Sequence, residues 1–240
     1  MINEQLNELF SEWKNAMLQN GHQGFCYDGL IYRKGKEDLL WRNSKRRIVF
    51  LLKEQNDNDG EDVREWSGSI NGLTPNGNFF NRLSAWLYGL THITASTYPS
   101  LDEAFDPHNQ MKALQEYPYA YVNVKKETGG AVANDNVVYT HATKYASFIR
   151  RELDILNGNI IVCGGDVVFR AARDLIYKDI TFKEINDWVF YSQLHNLLLI
   201  NSYHPAAHKS NEVMYVGMME AINDSIKMIN FTHFNECNFR

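Results

Sequence analysis

The stretch IVFLLKEQND, residues 48–57, joins a short and continuously apolar segment to an abruptly polar one. Its first half is rich in β-branched residues, which is typical of a strand buried on both faces of a parallel sheet. Three further segments of this kind follow along the chain: YAYVNV at 119–124, NIIVCGG at 159–165 and LLLIN at 197–201. Because helical stretches separate them, we expect an α/β fold with right-handed crossovers.

Apolar residues at helical spacing complete this picture. They predict helices over 3–20, 78–90, 143–156 and 211–230, and a further helix that begins at Asp166. We therefore predict a three-layer α/β/α arrangement around a central four-stranded parallel sheet. No repeat or linker divides the chain, so we expect one domain, 1–240, with an N-terminal helix and basic lead-in over 1–47 and the α/β core over 48–230.

Composition limits the class of protein. The chain has 240 residues, of which 44% are hydrophobic and 22% charged, as in ordinary globular domains. The three cysteines, Cys26, Cys163 and Cys237, are scattered, which fits a reducing compartment and offers no disulfide framework. Residues 1–17 are amphipathic, which favours neither a signal peptide nor a membrane span. We expect a soluble, cytoplasmic monomer without a membrane partner.

Charge alone does not identify a partner. The net charge is −5, yet residues 33–47 contain seven basic and two acidic side chains. A local basic patch can dock DNA even on an acidic protein, because phosphates respond to the local field. The other interpretation is a solvated loop, in which Arg46 and Arg47 face solvent.

Polar residues mark the carboxyl ends of three predicted strands. KEQND follows the first strand, Asn123 lies in the second, and His204 follows the fourth within SYHPAAH. Ligands of parallel sheets bind beyond these strand ends, so the three clusters should converge. The polar loop after the first strand is unusually long and is a candidate functional loop.

In this order, the motifs resemble the uracil-DNA-glycosylase superfamily over residues 48–229: KEQND, GNFFNRLSAWL, YVNV, IIVCGG, LLLIN and SYHPAAH. The resemblance implies a monofunctional glycosylase that hydrolyses the bond between deoxyribose and a flipped-out uracil or modified pyrimidine in DNA. It also implies the site residues. Glu54, His204 and Asp57 are the catalytic candidates, with Gln55 or Asp57 as alternatives to Glu54 for positioning water. Base-binding candidates are Asn123, Gln55, Trp66 and Phe79, and DNA-binding candidates are Pro205, Ala206, His208 and Lys209.

The chemistry of these residue types agrees with that reaction. Cleaving an N-glycosidic bond builds positive charge on the sugar, which a carboxylate such as Glu54 stabilises while it orients water. Negative charge builds on the departing base, which a donor such as His204 stabilises. Asn123 has both a donor and an acceptor for a pyrimidine edge. The base must first leave the duplex, and the segment 205–209 suits a wedge with a phosphate contact at Lys209.

The sequence also departs from the family pattern. The first motif lacks the usual glycine and proline, which leaves the choice of base open. Three scattered cysteines cannot hold the iron–sulfur cluster of one branch, so we expect no cofactor. The pair His204 and His208 lacks a third zinc ligand. Lys53 could form a Schiff base, but contact with a phosphate or with solvent is the commoner role of such a lysine.

Three functional hypotheses remain at this point. The first is a glycosylase acting on uracil or a related pyrimidine. The second is a glycosylase that removes a hypermodified base from bacteriophage DNA, in a defensive role. The third is a catalytically inactive module that binds DNA or protein, which the acidic net charge favours. The CGGD turn at 163–166 has the wrong spacing for a phosphate loop, and Asp166 would repel phosphate there, so we interpret the turn as structural.

Overall fold

A computed structural model describes residues 1–56, 61–68, 73–130, 132–229 and 231. Its strands are β1 (Gly29–Leu30), β2 (Ile48–Leu52), β3 (Ala120–Asn123), β4 (Ile160–Gly164), β5 (Lys183–Glu184), β6 (Val189–Ser192) and β7 (Leu197–Ser202). They form one mixed sheet in the order β1-β3-β2-β4-β7-β6-β5. Neighbours among β3, β2, β4 and β7 pair in parallel, whereas β1, β6 and β5 add antiparallel edges.

The α/β class is confirmed, but the predicted sheet of four strands is too small. The antiparallel edge strands were missed because β1 and β5 have two residues each. The predicted strand 48–52 matches β2 residue for residue.

Helices cover the sheet and connect its parallel strands. They are α1 (Ile2–Gln19), α2 (Glu37–Asn43), α3 (Gly77–His92), α4 (Leu101–Ala104), α5 (Pro107–Glu116), α6 (Asp135–Leu156), α7 (Asp166–Ala171) and α8 (Gly217–Ile226). A 3₁₀ helix spans Val63–Gly68, and π-helical turns at Ala172–Ile176 and Glu212–Val216 flank α7 and α8. No helix of the described ranges is both long and apolar enough to cross a bilayer.

Two hydrophobic cores lie on opposite faces of the sheet. Successive residues of β2 alternate between them: Val49 and Leu51 pack with α1 and α6, while Phe50 and Leu52 pack with α3 and α8. This alternation follows from the period of two along a strand. A strand apolar at every position is therefore buried on both sides, as the sequence predicted.

The expectation that Arg46 faces solvent is wrong. Only 1% of Arg46 is exposed, and its guanidinium donates to the carbonyls of Leu90 and Thr91 at 3.0 and 2.7 Å. Arg47 is half-buried and donates to the carbonyl of Asn157. Both precede β2 at the amino edge of the parallel strands. Part of the basic stretch 33–47 therefore ties the helical layers to the sheet.

Candidate functional site

A cavity of about 540 Å³ opens at the carboxyl edge of the parallel strands. It is lined by residues that follow β2 and β7, by the 3₁₀ helix, by the start of α3 and by one side chain of β3: Lys53, Glu54, Gln55, Asn56, Trp66, Phe79, Phe80, Tyr121, Val132, Ala133, His204, Ala206, Ala207 and His208. Two of the three polar clusters predicted from the sequence therefore share one cavity, at the edge where such sheets bind ligands.

The segment after β2 continues beside the chain that follows β3. The Lys125 amide donates to the carbonyl of Lys53 at 2.9 Å, and the Gly129 amide donates to the carbonyl of Gln55 at 2.8 Å. A parallel bridge between Asn56 and Gly129 extends the pairing. These backbone bonds fix residues 53–56 against the segment that follows β3.

Glu54 lies in an ion pair. One carboxylate oxygen is 2.8 Å from Lys125 Nζ, and the Glu54 side chain is only 5% exposed. A Cβ built on Gly129 would lie 1.8 Å from Glu54 Oε1, so this carboxylate needs a glycine at 129. Lys125 is itself anchored, because its ammonium also donates to the carbonyls of Glu127 and Thr128. The result is a fixed, paired carboxylate at the cavity wall.

Two buried amides have no hydrogen-bonding partner of normal geometry among the described residues. Gln55 is 3% exposed, lines the cavity and leaves both Oε1 and Nε2 unpaired. Asn123 is fully buried, and its amide interacts with the Tyr121 hydroxyl without making a hydrogen bond of normal geometry among the described residues. Asn123 does not itself line the cavity, but it points to the same face of β3 as Tyr121, which does. Unpaired buried amides are costly, so both are candidates for contact with a polar ligand.

A buried charged triad fixes the end of β3. Asp28, Lys126 and Glu152 are all fully buried, and the Lys126 ammonium contacts both carboxyl groups. Asp28 also accepts the backbone N–H of Asn123 at 2.7 Å. Burial raises the pKa of Glu152 well above its usual value, with Asp28 adding to the rise and Lys126 opposing it. The triad is therefore a buried cation shared by two carboxyl groups, of which Glu152 has the raised pKa.

His204 is held as a neutral imidazole with a defined tautomer. Burial, together with the charge of Lys53, lowers the His204 pKa to about 4. Its Nδ1 accepts the backbone N–H of Ala206 at 3.2 Å, so the ring proton resides on Nε2. His204 therefore lines the cavity with one N–H donor available and without a positive charge at neutral pH.

Lys53 lies next to His204 over the CGGD turn. Its ammonium pairs with Asp135 at 2.6 Å and is 19% exposed at the side chain. A Cβ built on Gly165 would lie 3.2 Å from Lys53 Cε and 4.0 Å from His204 Cβ. Gly165 also has a φ of 111°, a left-handed backbone that favours glycine. The space beside this turn is filled by Lys53 and His204.

Aromatic rings form one wall of the cavity. Phe79 lies 5.8 Å from the His204 ring and 6.0 Å from Tyr121 between centroids. Trp66 meets Phe80 and Tyr121 edge-to-face at 5.7 and 5.9 Å. Burial raises the pKa of Tyr121, so its hydroxyl stays protonated. This wall offers both ring edges and faces to a flat ligand.

The loop 205–209 is clamped by an arginine that the sequence did not single out. Arg82, from α3, is 7% exposed and donates to the carbonyls of Pro205, Ala207 and Lys209 at 2.6–2.9 Å. Its Nε donates to Asn211 at 2.9 Å. The signal was present, since Arg82 lies three residues after Phe79 and four before Trp86, on the apolar stripe of α3. Pro205 is buried, which leaves Ala206, His208 and Lys209 as the exposed positions.

The structure brings most of the predicted site residues together. Glu54, Gln55, Trp66, Phe79, His204, Ala206 and His208 line one cavity. Lys209 is exposed nearby, with its ammonium 5.8 Å from the Tyr203 ring centroid. Asp57 lies outside the described residues. Sequence reasoning missed Lys125, Arg82, Phe80 and Tyr121; the role of Lys125 depends on a contact that no local pattern encodes.

No group of three His, Cys, Asp or Glu side chains suited to a metal ion occurs within the described part of the chain. His204 Nδ1 is already occupied by a backbone donor.

No protein-family model matches the chain, and no curated protein matches it significantly.

Proposed function

We propose that this protein is a DNA glycosylase that hydrolyses the N-glycosidic bond of a flipped-out uracil or modified pyrimidine. The proposal rests on one observation: a neutral His204 with its proton on Nε2 shares a cavity with the unpaired Gln55 amide and the Glu54 carboxylate. The parallel arrangement of β3, β2, β4 and β7, with these groups at their carboxyl ends, supports membership of the uracil-DNA-glycosylase superfamily.

Each group has a role that its environment supports. The His204 N–H stabilises the negative charge that develops on a base oxygen. Because the imidazole is neutral, it does so without a full proton transfer. Glu54 supplies negative charge beside the sugar, where the oxocarbenium-like state develops, and orients the attacking water. Gln55, which lines the cavity, reads the polar edge of the base, and Asn123 is the further candidate on the same face of β3 as Tyr121. Trp66 and Phe79 stack against it, in a site that excludes water.

The exposed part of the loop 205–209 contributes the DNA contacts. Ala206 and His208 lie where the flipped strand enters the cavity, and Lys209 reaches a phosphate. Arg82 keeps the loop and His204 in one geometry by its four hydrogen bonds. Clamping of this kind lowers the cost of ordering a loop on DNA.

A second substrate class is favoured by the size of the cavity. A volume of about 540 Å³ exceeds what one unmodified pyrimidine ring fills. It would accommodate a bulky substituent on the ring, as in a hypermodified base of bacteriophage DNA. The reaction and the roles of Glu54 and His204 are the same in this case, and only the excised base differs.

The test is mass-spectrometric detection of free bases released from uracil-containing, hydroxymethylated and glucosylated DNA. We expect release to fall about 100- to 1000-fold in His204→Ala, the usual loss when one transition-state donor is removed. Glu54→Gln should show a comparable loss while remaining folded. His195→Ala is the matched control, since His195 is exposed in the turn before β7, at the opposite edge of the sheet. Salt-dependent DNA binding without release from any substrate would favour the inactive module instead.

A further inference from the structure

A second cavity, of about 350 Å³, lies on the other side of the segment 125–137. It is lined by the end of α1, by residues that follow β3 and by one face of α6: His22, Lys125, Glu127, Asn134, Asn136, Val137, Thr140, His141, Lys144 and Tyr145. Helix α6 departs from helical geometry at Tyr145, with φ −116° and ψ 18°, where it forms this wall. Apart from Lys125, which pairs with Glu54, none of these residues has a role in the proposed hydrolysis.

The interior of this cavity presents hydrogen-bonding groups that lack a partner of normal geometry within the described residues. His141 is 5% exposed, and neither ring nitrogen makes a hydrogen bond of normal geometry within the described residues. The Tyr145 hydroxyl is likewise unpaired in a side chain that is 2% exposed. Burial, with the charges of His22 and Lys125, lowers the His141 pKa to about 3, while the Val124 carbonyl acts against this shift. A neutral imidazole and a phenol can each donate or accept.

The rings of His141 and Tyr145 form a cluster with the ring of His22. The His141 and Tyr145 centroids are 4.6 Å apart, and His22 lies 5.7 Å from each of them. At the rim, the exposed Lys144 ammonium lies 5.6 Å from the Tyr145 ring. The one carboxylate at the cavity, that of Glu127, is 2.6 Å from His22 Nδ1, so it is already paired. The site combines an aromatic wall, adaptable polar groups inside and a cation at its mouth.

We infer that this cavity binds a nucleotide, with the base against the cluster of rings and the phosphate at Lys144. Aromatic walls with a cation are how proteins hold single nucleotides without regard to base identity, because every base has a π face. His141 and Tyr145 fit this tolerance, since each can match a donor or an acceptor. The nucleotide has two possible sources, a free nucleoside monophosphate or the neighbour of the target base in DNA.

The position of the cavity connects it to the proposed active site. Lys125 lines the second cavity and pairs with Glu54, which lines the first. Val132 and Ala133 line the first cavity, and Asn134 and Asn136 line the second. A strand that crosses this segment would place adjacent nucleotides on either side of it. Only this DNA source rests on the proposed function.

The experiment follows the ring signals of His141 by NMR, assigned by comparison with His141→Phe. Nucleoside monophosphates should shift them saturably, also in a His204→Ala background that weakens the first cavity. Tyr145→Phe should weaken binding about three- to tenfold, as expected for one lost hydrogen bond. Tyr139→Phe is the matched control, because Tyr139 belongs to α6 but packs with Arg170 and does not line the cavity.

A second arm uses oligonucleotides with an abasic residue on either side of the target. If an abasic residue at one flanking position abolishes the shift of the His141 signals, DNA is the source of the bound nucleotide. If free nucleotides alone shift these signals equally, the ligand is a soluble nucleotide. The inference is overturned if no nucleotide or oligonucleotide shifts His141, if Tyr145→Phe binds as well as the unmodified chain, or if inorganic phosphate gives the same response. Base release without any His141 shift would overturn this inference alone, and His141 shifts without release would overturn the glycosylase proposal alone.

Discussion

Replacing Lys126 by methionine should cost the protein much of its stability. The variant keeps the length of the side chain but leaves Asp28 and Glu152 fully buried without a cation. Asp28 would retain the Asn123 amide at 2.7 Å, which offsets only part of the loss. The ammonium also lies 5.2 Å from the Trp13 ring and 5.5 Å from the Phe10 ring, and these contacts disappear as well.

The magnitude follows from the burial of the triad. Breaking a buried ion pair by removing one partner costs about 3–5 kcal/mol, because an uncompensated charge remains. For a domain of this size, a loss of about 4 kcal/mol lowers the melting temperature by roughly 8 to 16 °C. The matched variant is Glu152→Gln. Because burial raises the pKa of Glu152, an amide that preserves the shape of the side chain and supplies a donor should cost less than about 1 kcal/mol.

Calorimetry and urea unfolding measure both variants, with the slope m compared to confirm that the unfolding transition is the same. Equal losses in Lys126→Met and Glu152→Gln would contradict the raised pKa of Glu152. A cost of under about 1 kcal/mol for Lys126→Met would show that water reaches the triad and screens it. Either result would refute the description of the triad as a buried cation shared by two carboxyl groups, of which Glu152 has the raised pKa.

Three further outcomes are expected. Arg82→Met should raise the rate of hydrogen exchange in the loop 205–209. It should also reduce base release about 100-fold, because small displacements of a catalytic group have such effects. Protection of the loop amides from exchange equal to that in the unmodified chain would contradict the clamp. The melting temperature should fall as the pH drops from 6.5 towards 4. His204 and His141 have lowered pKa values in the folded protein, so the stability that they contribute is complete above their usual pKa and is lost as the pH falls below it. The variant His141→Phe should show a weaker dependence of melting temperature on pH. Cys163 should resist thiol reagents until the protein unfolds, because burial raises its pKa, and labelling of the native protein at this residue would count against the buried position.

The central strands could be predicted because their sequences are continuous apolar runs, which is the pattern of strands buried on both faces. β2 and β7 bury nearly every residue, so periodicity and length sufficed. The edge strands gave no such signal, since β1 and β5 are only two residues long and β5 is exposed. Short helices with mixed faces, such as α2 and α5, were also missed, because their packing depends on neighbours that are distant in sequence.

The candidate site was predictable to the extent that topology determines it. Parallel strands bring their carboxyl ends to one edge, and this placed Glu54, Asn123 and His204 near one another before any coordinates. What the sequence could not provide was the pairing of charges. The contacts of Glu54 with Lys125 and of Arg46 with carbonyls of α3 join residues at least 44 positions apart. Charge runs in a sequence therefore say little about which cations remain available to a ligand.

The ion pairs also affect how the proposed active site would stabilise charge on the sugar and on the base. Lys125 holds the Glu54 carboxylate in place, so an approaching sugar meets a fixed negative charge whose attraction grows as positive charge develops on the ring. On the opposite side, Lys53 helps to keep His204 neutral, which makes it a donor rather than an acid. Both features favour the charge-separated transition state over the neutral ground state, because the stabilising interactions grow only as the bond breaks. Glu54→Gln and His204→Ala should therefore lower kcat more than they raise KM.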